Sequence, residues 1–88
     1  MQIEIKKYKL PQEETELTEL AKLREEYKEF KEAVLKDDVE NMVEEFFDVI
    51  QVMVHILMLK RVSTYRIRKG QGKHFKKLAW RGWERAEN

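Results

Sequence analysis

Eighty-eight residues and a mass of 10.7 kDa allow one small domain, 1–88, which buries only about 60–65% of its unfolded surface. The absence of cysteine excludes disulfides, thiolate zinc sites and a cysteine nucleophile, and leaves oligomerisation as the expected source of further stability. The 40% charged and 42% hydrophobic content excludes collagen-like, mucin-like and disordered chains and fits a soluble, helix-rich one.

The net charge of +1 conceals a division. Residues 1–59 hold 8 Lys+Arg against 15 Asp+Glu, a net of −7, while residues 60–88 hold 10 against 2, a net of +8. An acidic body suited to cations therefore carries a basic C-terminal segment suited to anions.

In chain order, residues 1–10 alternate weakly at Met1, Ile3 and Ile5 and read as an extended arm or short edge strand. Leu10, preceding Pro11, is biased towards extended backbone. The arm lacks the apolar run of a signal peptide, so a cytoplasmic location is the default expectation. From about Gln12 to Lys36, the residues Leu17, Leu20, Leu23, Tyr27, Phe30 and Val34 recur at steps of three and four, the apolar stripe of a first helix. Asp37 and Glu40 are spaced as a capping box for a second helix from about Asp38 to Arg61. Its second half is apolar on nearly every side, the pattern of a buried central helix. The run Phe46 to Leu59 is too short for a membrane span and contains Asp48, Gln51 and His55. Val62 to Gly72 reads as a loop or frayed helix end. From Lys73, the residues Phe75, Leu78, Ala79 and Trp83 fit a short third helix, weakened by Gly82 by about 1 kcal/mol. The predicted fold is all-α: two long antiparallel helices and a short C-terminal one, completed to a helical bundle by dimer or tetramer formation.

The chemistry lies in the carboxylates of the two long helices. Glu26 and Glu29 are three apart, as are Glu45 and Asp48, so each pair projects from one helix face within a turn. Asp48 sits among Phe46, Phe47, Val49, Ile50 and Val52, which predicts partial burial. An unpaired buried carboxylate costs several kcal/mol, and four converging ones repel unless a cation is bound. Oxygen-only ligands suit Mg2+, whose shell is completed by water and substrate phosphates. The alternative for Glu25, Glu26 and Glu29 is ordinary pairing with Lys22, Lys28 and Lys31 on an exposed face. Gly70-Gln71-Gly72-Lys73 lacks P-loop spacing, and neither histidine stands in the Glu-x-x-His context of a di-iron bundle. His55 is expected to be a satisfied core or interface histidine. Trp80 and Trp83 are expected to pack in the core or between subunits, and Met42, Met53 and Met58 to fill the core.

Glu25-Glu26-x-x-Glu29, followed after fifteen residues by Glu45-x-x-Asp48, resembles the E-E-x-x-E…E-x-x-D signature of the MazG-like, all-alpha nucleoside triphosphate pyrophosphohydrolases. The resemblance covers roughly Leu17 to Leu59, with Leu23, Phe30, Ala33 and Val49-Ile50 agreeing and Lys28 departing from a usually small residue. A looser echo lies in Lys73-His74-x-x-x-Lys77-Leu78-x-x-Arg81-Gly82. The resemblance implies Mg2+-dependent cleavage (with Mn2+ as a substitute) between the α- and β-phosphates of a nucleoside triphosphate, giving the monophosphate and pyrophosphate. By position, Glu26, Glu29, Glu45 and Asp48 would be metal ligands and Glu25 would orient or deprotonate the attacking water. Lys73, Lys77 and Arg81 share about one helical face and are the candidates for phosphate contacts; a solvated basic helix is the alternative. The competing function is a basic-tailed, noncatalytic helical module that binds nucleic acid or regulates. The acidic body and the lack of a DNA-reading motif weigh against nucleic acid.

Overall fold

The computed structural model describes residues 2–86 and is all-helical, with α1 Glu16–Leu35, α2 Val39–Leu59 and α3 Thr64–Trp80. The described residues include no strand, so residues 2–10 form an arm. Lys6 and Tyr8 of the arm line a depression with Phe47, Ile50 and Gln51 of α2, and Lys7 Nζ donates to Thr64 Oγ1 at 3.1 Å.

Helix α1 starts four residues later than predicted because Thr15 caps it. The Thr15 hydroxyl accepts from Thr18 N–H, and Thr18 Oγ1 accepts from Thr15 N–H, a reciprocal cap that satisfies two otherwise orphaned donors. The α1–α2 junction also differs from expectation. Asp37 does not cap α2; it adopts φ 54°, and Asp38 N–H returns to Ala33 O at 2.9 Å to close α1 in a Schellman motif. The cap of α2 is Asp38, whose side chain accepts from Asn41 N–H.

The same device ends the other helices. Arg61 takes φ 57° after α2, and Gly82 takes φ 83° after α3, with Val62 N–H bonded to Leu57 O and Trp83 N–H to Leu78 O. Gly82 therefore terminates α3 instead of weakening it. The predicted loop at 62–72 is also overturned: Ser63 caps a helix starting at Thr64, and Gly70 and Gly72 lie inside it.

Helices α1 and α2 pack as an antiparallel hairpin, while α3 packs against neither. The face of α1 that meets α2 is Glu19, Leu23, Glu26, Phe30 and Ala33, at steps of four and three. The predicted stripe is largely solvent-facing, with Leu17 79% exposed and Leu20, Tyr27 and Val34 also open. Apolar residues fill more than one side of α1, and a single partner helix covers only one. Among the described residues only Ala33 and Val52 form the buried apolar core. Met53, Trp80 and Trp83, expected to be covered, are exposed within one chain. Tyr27, Phe30, Phe46, Val49 and Ile50 line an apolar groove of about 280 Å³ on the hairpin.

Candidate metal centre

The hairpin brings together three of the four predicted ligands. One carboxylate oxygen from each of Glu26, Glu29 and Glu45 lies within 4.8 Å of the others. Glu26 reaches the cluster from the seam-facing side of α1, Glu29 follows three residues on, and Glu45 faces them from the first half of α2. Antiparallel pairing causes this meeting, since it sets the C-terminal half of α1 beside the N-terminal half of α2.

Glu26 and Glu45 are half-buried and Glu29 is exposed. Glu26 Oε2 and Glu45 Oε2 are buried with no hydrogen-bond donor. A proton on Glu45 supplies the missing donor, and its carboxyl is pushed up to about 8. The hydrogen bond to Glu26 is the largest cause, followed by burial and the negative charges of Glu26 and Glu29. The alternative of ordinary lysine pairing is not seen: among the described residues no Lys or Arg forms an ion pair with Glu25, Glu26, Glu29, Glu45 or Asp48. Three facing carboxylates, two with donorless buried oxygens, fit a hard divalent cation with oxygen ligands.

The partial burial expected of Asp48 does not occur. The residue is exposed and lies outside the three-carboxylate group, although one turn from Glu45. The bulky neighbours Phe46, Phe47 and Val49 occupy other faces of α2, and none covers Asp48 within one chain. Glu25 is also exposed and lines a separate depression with Arg24, Tyr27 and Lys28. Lys73, Lys77 and Arg81 are exposed on α3 and its C-cap, and the single chain does not bring that helix to the carboxylates.

A profile of the MazG nucleotide pyrophosphohydrolase domain matches residues 14–85. The chain belongs to the MazG family. The matched span takes in all three helices, so the MazG match reaches well beyond the two acidic motifs. Comparison with curated proteins and with solved structures gave no match.

Sequence reasoning missed the polar group two turns from Glu26. Glu19 is fully buried. His55 Nδ1 lies 3.4 Å from Glu19 Oε2, and Gln51 Nε2 lies 3.1 Å from His55 Nε2, contacts satisfied together when the imidazole proton is on Nδ1. Lys22 Nζ stands 3.6 Å from Glu19 Oε1 and 2.8 Å from Glu14, holding the Glu14 carboxyl below its usual range. His55 is thus a satisfied histidine, as expected. The available signal was the placement of Glu19 seven residues before Glu26, on the same face.

Proposed function

We propose that this protein is a divalent-metal-dependent pyrophosphohydrolase that converts a nucleoside triphosphate, in ribo or deoxy form, to the monophosphate and pyrophosphate. The observation that carries the reading is the convergence of Glu26, Glu29 and Glu45 with two donorless buried oxygens. Glu26, Glu29 and Glu45 would hold Mg2+ or Mn2+, with the exposed Asp48, one turn on from Glu45, as the fourth candidate ligand. When bound, the cation supplies neutralisation of the phosphate oxygens and of the charge that develops as pyrophosphate leaves.

The remaining residues position the reactants. Glu25, adjacent to Glu26 and open to solvent, orients the attacking water and accepts its proton. Water adds at the α-phosphorus and the bond to the α–β bridging oxygen breaks. Lys73, Lys77 and Arg81 offer cations to the phosphates, and an assembled oligomer is needed to bring α3 to a carboxylate site. Such assembly, as a homodimer or tetramer, would also cover the exposed Leu17, Tyr27, Phe47 and Met53; the reading takes the cytoplasm as the location.

The test is a panel of ribo- and deoxynucleoside triphosphates incubated with and without Mg2+, with products identified. Monophosphate and pyrophosphate formed only with metal, and lost in Glu26→Gln and Glu45→Gln, are expected. Release of orthophosphate instead, or no turnover across the panel, overturns the reading.

A further inference from the structure

Helix α3 sorts its side chains into two opposed stripes. Arg66, Lys69, Lys73, Lys76 and Trp80 recur at steps of three and four, as do Ile67, Gln71, His74 and Leu78 on the other side. The helix contains six Lys and Arg and no Asp or Glu. Within one chain α3 does not pack against the α1–α2 hairpin, so its six cations, and not the net charge of the whole chain, describe this surface.

The two tryptophans differ. Trp83 is accounted for by the helix end: its N–H bonds to Leu78 O at 3.0 Å, and it shares a depression with Phe75 and Leu78 on the apolar side. Trp80 is 91% exposed and lies on the cationic stripe. A ring placed among cations is poorly suited to burial against an apolar surface, because that surface would strip water from the neighbouring charges. It suits a ligand that presents negative charges and flat rings together.

We propose that the Arg66–Trp80 stripe of α3 binds single-stranded nucleic acid, with the cations following the backbone phosphates and Trp80 stacking on an unpaired base. The stripe runs for about 21 Å at 1.5 Å per residue, long enough to follow several phosphates of one strand. An unpaired strand fits better than a duplex, whose bases are already stacked on each other. An anionic bilayer would take up the aromatics of the opposite side, Phe75 and Trp83, and would leave Trp80 on the cationic face without a role. The surface requires neither the carboxylate cluster nor a metal ion.

Fluorescence anisotropy of a labelled 16-nucleotide single strand, as DNA and as RNA, in EDTA tests the proposal on the full chain. Four neutralised phosphates predict a slope of log affinity against log salt of about −2.8, or about 50-fold weaker binding in 200 mM than in 50 mM NaCl. Trp80→Ala should weaken binding about tenfold at either salt, with Trp80→Phe restoring most of it. Lys69→Gln with Lys76→Gln should make the slope shallower by about 1.4. All these positions are exposed, and circular dichroism verifies that each variant remains helical. Glu45→Gln should bind the strand as wild type does while losing nucleotide turnover, so the two activities fail or succeed separately. No binding at 50 mM NaCl, or binding indifferent to Trp80→Ala, overturns the proposal. So does equal Trp80-independent binding to phosphatidylserine vesicles, or self-association that Trp80→Ala abolishes and that the strand does not compete with.

Discussion

The three-carboxylate cluster predicts a proton–metal exchange at Glu45. In the folded, metal-free protein Glu45 keeps its proton up to about 8, against an ordinary 4.5. The folded pKa is the higher one, so the folded state binds this proton more tightly than the unfolded state. The resulting stability is fully present below about 4.5 and is lost as pH rises through 8. A divalent cation needs the ionised carboxylate, so binding releases that proton. Well below pH 8 the apparent affinity should rise tenfold per pH unit, giving about 50-fold between pH 6 and 8 and about twofold more beyond. Calorimetric titration with Mn2+ from pH 6 to 9, in two buffers of different ionisation enthalpy, measures affinity and proton release together. Release should be near one proton per ion at pH 6.5 and near zero at pH 9. Glu45→Gln should weaken binding and flatten its pH dependence. Equal wild-type affinity at pH 6 and 8 with no proton released would refute the reasoning, as would an unchanged pH profile in Glu45→Gln.

Three other outcomes follow from the fold and are read by urea or thermal unfolding in EDTA. Arg61→Gly removes the strain of a side chain at φ 57° and should stabilise the protein by about 1 kcal/mol, a rise of several degrees in Tm; an unchanged Tm would count against the cap geometry. Glu19→Ala deprives half-buried His55 of a buried partner and should destabilise by about 2 kcal/mol, with Glu19→Gln milder. Asp48→Asn, at an exposed position, should leave metal-free stability within about 0.5 kcal/mol of wild type, and in Mg2+ should lower turnover in the nucleotide panel.

The helical class and the two long helices were legible because the spacing of apolar residues and the Asp37-Asp38 break are local signals. The convergence of Glu26, Glu29 and Glu45 was legible for a related reason: a short connection between two helices enforces antiparallel packing, which sets the Glu26–Glu29 pair opposite Glu45. Less visible was which side of α1 faces α2. The more apolar side lost to one carrying Glu19 and Glu26, because cross-helix pairing with His55 and close approach at Ala33 are properties of both helices together. Asp48 misled for the opposite reason, since apolar neighbours in sequence do not cover a side chain pointing between them. The start of α3 was obscured by Gly70 and Gly72, whose weak helix preference is outweighed here by the Ser63 cap and the long-chain residues around them.

The seam of the hairpin also works as an index. Glu19 and Glu26 occupy two of its five α1 positions, between Leu23, Phe30 and Ala33, and wholly apolar seams of similar shape can slide by a turn with little penalty. Here a four-residue slip of α2 would set Glu19 against Gln51 or Leu59 instead of His55, and Glu26 against Asn41 or Val49 instead of Glu45. Either slip would separate Glu45 from Glu26 and leave the fully buried Glu19 carboxyl without its imidazole. The alignment that assembles the carboxylates is thus distinguished from its neighbours by polar matching, and the spacing of the reacting groups is written into the register of one helix pair.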